Sequence, residues 1–290
     1  KKVYLSNTFK EMWNRIRQKT IYSVEMDIDK FKKEAIDTIK SMPKVLPEKI
    51  ERERAKLNIT NAGVLQEGPT RYGIIGDIQE FETIHYPDFI RRIQDATNLL
   101  RTTIIEIIKE SGRLSEFYDN PETFISRVSS ILNQVKKSHL VKGIKYYKYD
   151  EFFIQEEVFD DTELYGYKDK NIVDISDEKN IYDHVIFDSV IEKQFALDAE
   201  ADENVVLYAK LPKRFTVDTP FGAYNPDWIV VIQTNGEDKL YFVTETKASE
   251  NAEDLREVEY SKILCGRKHF EVLNDVRYEV VNSLKSLLKK

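Results

Sequence analysis

Two apolar runs flank a tight-turn signal near residue 235. Strand candidates cover Asp227 to Ile232 and Leu240 to Glu245, with Thr234-Asn235-Gly236-Glu237 between them. Asn-Gly suits a two-residue turn whose twist matches antiparallel strands, because both residues tolerate positive φ. The pattern therefore predicts a hairpin. Side chains alternate along a strand, so Glu245 and Lys247 share one face. The hairpin brings Asp227 level with them. Two carboxylates and an ammonium on one sheet face are costly unless something binds there.

A divalent cation removes that conflict. Mg²⁺ prefers oxygen ligands and commonly takes one or two carboxylates plus water and substrate phosphate. It activates water and offsets charge on phosphate oxygens. Lys247 is placed to steady the hydroxide or the phosphate in the transition state, and the Thr246 carbonyl can face the same ion. Taken singly, each motif has a plainer reading. Asn225-Pro226-Asp227 can be a turn before a strand, and Glu245 with Lys247 an ion pair on an exposed edge. The two together, one hairpin apart and flanked by apolar strands, favour a site.

Residues 188–200, DSVIEKQFALDAE, suit an amphipathic helix with Val190, Ile191, Phe195 and Ala199 on its apolar side. Glu192 in its first turn has two roles open to it. Ser189-Val190-Ile191-Glu192 is a capping box by sequence, and a glutamate bonded back to its own helix start cannot also hold a metal. Further strand candidates are Val205 to Ala209 and Phe215 to Val217, with a turn at Thr219-Pro220-Phe221-Gly222. A helical region is expected from about Glu253 to His269, and another patch covers 276–288.

Upstream, Phe9, Met12, Trp13 and Ile16 recur at helical spacing, and Tyr22, Val24 and Met26 alternate as in a strand. Asp27 or Asp29 can cap a helix carrying Phe31, Ala35, Ile36 and Ile39, ended by Pro43. Ala55, Leu57 and Ile59 alternate in a charged strand. One longer helix is predicted after Pro87, with Phe89, Ile90, Ile93, Ala96, Leu100, Ile104 and Ile107 on a stripe. Another starts at Asn120-Pro121, with Phe124, Val128, Ile131, Leu132 and Val135 inward. Near Gly143 the texture changes, so a helix-rich domain over 1–142 and a second domain over 143–290 are expected. A strand is expected within Lys142 to Asp150, then a short helix and an irregular acidic stretch around Gly166. His85, His139 and His184 are scattered and read as structural, Tyr224 and Trp228 as core, and Cys265 as a buried helical residue.

Charge narrows the function classes. Residues 1–150 carry 27 Lys and Arg against 21 Asp and Glu, a net of +6, whereas 151–290 carry 17 against 30, a net of −13. That is no general polyanion-binding signature, so any nucleic-acid site is local. No apolar run approaches the ~20 residues a membrane span needs. The single cysteine excludes a disulfide framework and fits a reducing compartment. A first residue of Lys, with no signal peptide, predicts an excerpt from a longer protein.

Several strings carry a resemblance. They are Phe187-Asp188-Ser189, Glu192-Lys193-Gln194-Phe195, Lys210-Leu211-Pro212, Thr219-Pro220-Phe221-Gly222, Tyr224-Asn225-Pro226-Asp227-Trp228, Tyr241 to Lys247, and Lys262 through Cys265 to His269-Phe270. Over about 182–270 the chain resembles the C-terminal endonuclease domain of the Res subunit of type III restriction-modification enzymes, in the PD-(D/E)XK nuclease superfamily. Trp13, Arg15 and Lys19-Thr20-Ile21-Tyr22 resemble the connector between that subunit's helicase motor and its nuclease. Ala248 departs from the family, which often has glycine there.

The resemblance implies an α+β or mixed α/β fold, with a central mixed sheet flanked by helices and a largely helical connector domain before it. It implies Asp227 and Glu245 as metal ligands, Lys247 as the catalytic lysine, and Glu192 as the helix carboxylate that completes the site. Lys262 and His269 can approach DNA phosphate from the following helix, though packing explains them as well. Mg²⁺ is the implied cofactor. The implied partners are double-stranded DNA, methyltransferase (Mod) subunits and an upstream helicase motor of the same polypeptide, in a prokaryotic cytoplasm with no membrane attachment. No G-x-x-x-x-G-K-[ST] loop occurs, so ATP belongs to the motor and not to this chain. Three readings follow: a metal-dependent DNA endonuclease module; a non-catalytic nuclease-like DNA-binding or subunit-docking module; and a nuclease of the same superfamily attached to another motor.

Overall fold

The computed structural model describes residues 2–47, 87–159, 172–175, 178–233, 239–247, 257–273 and 275–289, and four short strands between 53 and 71. In chain order the elements begin with α1 (Asn7–Ile16), β1 (Gln18–Val24), α2 (Ile28–Ser41), β2 (Glu53–Arg54), β3 (Leu57–Thr60), β4 (Gly63–Gln66) and β5 (Thr70–Arg71). Next come α3 (Phe89–Thr97), α4 (Arg101–Ser111), α5 (Ser115–Asp119), α6 (Pro121–Gly143), β6 (Ile144–Phe152), α7 (Gln155–Phe159), β7 (Ile172–Asp174) and β8 (His184–Ile186). The remainder is α8 (Val190–Ala201), β9 (Val205–Lys210), β10 (Trp228–Ile232), β11 (Leu240–Thr246), α9 (Glu257–Leu273), β12 (Arg277–Val281) and α10 (Leu284–Leu287). No described helix is long and apolar enough to cross a membrane.

The chain divides into two compact units, one of residues 1–26 with 138–290, the other of residues 27–137. The sequence texture changes at 142/143, but the first 26 residues fold with the C-terminal part. Phe9, Met12, Trp13 and Ile16 of α1 are all buried in one apolar cluster with strand residues such as Ile229 and Val243. β1 pairs antiparallel with β6 from Gln18↔Phe152 to Val24↔Ile144. Gly143 lies against this ribbon, where an added Cβ would come 2.0 Å from the Glu25 carbonyl oxygen.

The unit of residues 27–137 has its own core. α2 is capped by Asp27, whose side chain accepts from the Lys30 N–H, and it buries Phe31, Ala35, Ile36 and Ile39. The stripe expected to form one helix after Pro87 forms two. Asn98 takes the left-handed conformation, with φ 53°, and closes α3. Asparagine tolerates that conformation because its short polar side chain bonds locally. The break rotates the register: Leu99 and Thr97 are buried, whereas Leu100 is 71% exposed. Asn120 caps α6 by accepting from the Thr123 N–H, 3.0 Å away, and Phe124, Val128, Leu132 and Val135 turn inward.

The main sheet has the order β12-β11-β10-β9. β9–β10 and β10–β11 are antiparallel and β11–β12 is parallel, so the sheet is mixed. Period-two alternation sorts its side chains. Leu207, Ala209, Ile229, Val231, Val243 and Tyr278 join α1 and α9 on one side. Tyr208, Trp228, Val230, Phe242 and Val281 join α8 and α10 on the other. The sheet is thus buried between two helical layers, and residues of β10 are near-continuously apolar as a doubly covered strand requires.

One expected strand is reduced. Phe215 to Val217 contributes a single bridge, Val217↔Tyr224. The Asn225 side-chain amide instead donates to the carbonyls of Pro212 and Phe215, at 3.0 and 2.8 Å. Those bonds satisfy the loop without a ladder. The turn at 234–237, Ala55, His85, Gly166, Ala248, the start of the helix expected at Glu253, and the side chains of Leu57 and Ile59 lie outside the described residues.

Candidate active site

The hairpin register sets the site. Trp228 pairs with Thr244 and Ile229 with Val243. One step further along each strand stand Asp227 and Glu245, which share the parity of Ile229 and Val243. Asp227 sits at the mouth of β10, anchored by its carbonyl, which accepts from the Leu211 N–H at 2.8 Å. Its Oδ2 accepts from the Thr246 N–H at 2.8 Å and from Thr246 Oγ1 at 2.7 Å. Thr246 Oγ1 in turn accepts from the Trp228 indole N–H at 3.3 Å.

Glu245 is 4% exposed, and both its oxygens are engaged. Oε1 faces Lys247 Nζ at 3.0 Å, and Oε2 accepts from the Tyr224 hydroxyl at 2.7 Å. Tyr224 Oη is also bonded to Tyr278 Oη on β12. Lys247 Nζ reaches a second carboxylate, Glu259 of α9, at 2.6 Å. Its backbone N–H donates to the Val281 carbonyl at 3.0 Å, which extends the β11–β12 pairing to this residue.

Burial and mutual repulsion set the charges. Burial raises the Glu245 carboxyl, and the nearby Asp227 carboxylate adds to it; Lys247 and Tyr224 only partly offset this, leaving the group at about 7. Burial also raises Asp227, against the Thr246 hydrogen bonds, with Glu192 adding further repulsion. Burial alone would lower Lys247. The attraction of Glu245 and the bond to Glu259 outweigh that and hold its ammonium above the ordinary lysine range.

Glu192 lies at the start of α8, where half of the expected capping box forms: the carboxylate bonds to the residue before the N-cap and not to the N-cap N–H. Ser189 Oγ accepts from the Glu192 N–H at 3.2 Å. The Glu192 carboxylate accepts from the Asp188 N–H at 3.1 Å and from Ser189 Oγ at 3.3 Å. It also binds Lys210 Nζ at 2.6 Å, and Lys210 reaches Asp188 Oδ2 and the Ile186 carbonyl, each at 3.1 Å. Its charge is felt at Asp227, but its oxygens are directed to the helix start and to Lys210. Among the described residues, no three Asp, Glu, His or Cys side chains converge as a metal-binding group.

The other singled-out residues separate from this centre. Lys262 of α9 donates to the Ala223 carbonyl at 2.9 Å, beside Gly222 with its φ of +97°. His269 is 2% exposed and bonded through Nδ1 to Thr20 Oγ1 at 2.7 Å, so it faces the interior and not a DNA surface. Burial lowers its imidazole to about 3, which keeps it neutral. Cys265 is buried and its thiol is pushed up to about 11 by desolvation, the opposite of an activated nucleophile. His184 pairs with Asp174 across the β7–β8 ribbon at 2.9 Å, and His139 is buried.

Sequence reading missed three participants: Tyr224, Lys210 and Glu259. Tyr224 was legible as core and is fully buried, but its hydroxyl bonds to Glu245. Its place three residues before Asp227 was the available signal. Lys210 belongs to a recognised string without a role of its own, and Glu259 sits in a helix whose facing cannot be read from charge alone.

Residues 178–284 match a family described as Endonuclease domain. The chain is 23% identical over 277 residues to the Type III restriction-modification enzyme EcoPI Res subunit of Escherichia phage P1, covering 88% of this chain and 27% of that protein. It is 33% identical over 86 residues to the Type III restriction-modification enzyme EcoP15I Res subunit of Escherichia coli, covering 29% of this chain and 9% of that protein. The chain thus spans about a quarter or less of the length of these relatives. No solved structure matches it. Residues 178–284 are thus similar to this endonuclease-domain family, and the likeness of the chain to the C-terminal endonuclease domain of type III Res subunits is borne out.

Proposed function

We propose that the unit holding residues 178–284 is a Mg²⁺-dependent DNA endonuclease module of the PD-(D/E)XK kind, which hydrolyses phosphodiester bonds as the nuclease part of a type III Res subunit. The observation that carries this reading is the meeting of Asp227, Glu245 and Lys247 at one end of the β10–β11 hairpin, inside an endonuclease-domain match. The residues fit a hard cation. The buried Glu245 carboxyl and the half-buried Asp227 carboxyl both stand above their ordinary range, chiefly through desolvation and with added carboxylate repulsion, a conflict that a divalent ion relieves. Asp227, Glu245 and the Thr246 carbonyl would hold it. Glu192 would complete the set through Oε1, since Lys210 holds Oε2.

A bound Mg²⁺ supplies positive charge beside the phosphate and a more acidic water. The chain does the rest. Lys247 stays charged and offers its ammonium to the phosphate oxygens as negative charge builds there. Glu245 holds that ammonium on one side and Glu259 on the other, which limits its swing. Thr246 fixes the direction of Asp227. Glu245 is buried while Lys247 keeps part of its side chain in reach of solvent, so the lysine is open to an incoming phosphate.

Partners follow from the same reading. Double-stranded DNA is the substrate, Mod subunits select the sequence, and an upstream motor of the same polypeptide uses ATP. Residues 27–137 would then belong to the connector. The assay is plasmid nicking by the chain with Mg²⁺, against Lys247→Ala and Glu245→Ala. Both variants lose cleavage, and Ca²⁺ supports DNA binding without cutting because its loose coordination positions water poorly. Wild-type cleavage by either variant refutes the site. Metal-independent DNA binding with no cleavage under any condition favours the non-catalytic docking module.

A further inference from the structure

The metal-site reading leaves unexplained why two tyrosines are buried behind Glu245. We infer that Tyr224 is a positioning residue for the nuclease centre, and that Tyr278 backs it in a two-hydroxyl relay which fixes the Glu245 carboxylate. This rests on the metal-dependent reading above.

The donor order follows from counting hydrogens. Tyr224 has one hydroxyl hydrogen, and it points to Glu245 Oε2, 2.7 Å away. With Glu245 ionised, as a metal ligand is, the bond between the two phenol oxygens is donated by Tyr278. Glu245 Oε1 is meanwhile held by Lys247 at 3.0 Å. A carboxylate gripped at both oxygens cannot rotate freely about its last torsion, so its remaining lone pairs keep one direction. Groups that bond to metal ligands in this way typically govern metal affinity by 10–100-fold.

The rings are held as firmly as the hydroxyls. Tyr278 stacks on Phe270 with centroids 5.5 Å apart and planes 5° from parallel. Tyr224 meets Tyr278 edge-on at 6.4 Å. On its other side, Tyr224 lies against Gly266 of α9, where a Cβ would come 2.4 Å from Cε1 of the ring. Only a residue without a side chain fits there. Core filling alone would be served equally by phenylalanine at both positions; the two buried hydroxyls are spent on one carboxylate.

The test is Mn²⁺ binding to the purified 290-residue chain without DNA, followed by the electron paramagnetic resonance of free Mn²⁺. Wild type is compared with Tyr224→Phe, Tyr278→Phe and Glu245→Gln. Tyr224→Phe should weaken binding about tenfold and Tyr278→Phe by less, in the same direction. With DNA and Mg²⁺, Tyr224→Phe should lower kcat and leave the KM for DNA unchanged. If Glu245→Gln loses Mn²⁺ but both Phe variants bind it as wild type does, the positioning role is wrong and the metal site stands. If wild type and Glu245→Gln are alike in failing to bind, the metal-site reading fails, and this inference with it.

Discussion

Thr246 holds one oxygen of Asp227 twice, through its N–H at 2.8 Å and its hydroxyl at 2.7 Å. The contact ties the mouth of β10 to the end of β11 at the point where the sheet ladder runs out. It also fixes the half-buried Asp227 carboxylate close enough to Glu245 for the two to repel, so like charges meet at the centre of the site. Such a centre costs stability, and the cost depends on pH.

Glu245→Gln should stabilise the metal-free protein more at pH 8 than at pH 5. The folded-state value of about 7 lies above the ordinary 4.5, so the folded state binds more protons between these values. Stability carried by this group is therefore present at low pH and lost as pH rises through about 7. The loss is on the order of 3 kcal/mol, and glutamine removes it. Urea unfolding in EDTA at the two pH values measures the difference; a gain independent of pH would contradict it.

Gly266→Ala should cost about 1–3 kcal/mol, because the added methyl collides with the Tyr224 ring and the layer cannot open without moving strands. Cleavage should fall with it. A thermal midpoint equal to wild type would mean that α9 shifts freely over Tyr224.

Lys210→Met should destabilise by about 2–3 kcal/mol. It strips the ammonium from Glu192, a residue only 8% exposed, and removes the donor to the Ile186 carbonyl; the exposed Asp188 is rehydrated and adds little. Adding Glu192→Gln should recover part of the loss. Strict additivity of the two substitutions in a double-mutant cycle would show that they do not interact.

Asn98→Gly should be near neutral, whereas Asn98→Ala should cost about 1–2 kcal/mol, since alanine meets the left-handed conformation at full steric cost. Equal urea midpoints for the two variants would place the break elsewhere.

The pairing of β10 with β11 and the three residues at its end were legible through the two apolar runs and period-two alternation; the Asn-Gly turn lies outside the described residues, and the described ladder closes at Ile232↔Leu240. α1, α2 and α6 were legible through their apolar stripes, and α8 in part: Phe195 and Ala199 turn inward, but Val190, expected on the same side, is 81% exposed at the first turn. The break at Asn98 was not, because the apolar spacing runs on across it and only the backbone dihedral reveals the stop. β12 was hidden inside a patch read as one stretch, since Tyr278, Val280 and Val281 do not by themselves distinguish a strand from a helix start. Tyr224 had the opposite problem: its burial was plain, but the hydrogen bond that gives it a task needs Glu245 from another strand.

The parallel strand β12 has a consequence for the order of events during synthesis. By residue 247 the growing chain holds both carboxylates and the lysine, yet Lys247 has no partner for its N–H until Val281 exists, and Glu245 lacks Tyr278 behind Tyr224. α9 must cross over and β12 must dock before the centre takes shape. A half-made polypeptide thus carries the residues of the candidate site without their geometry, and this unit acquires that geometry only with the last strand of its sheet.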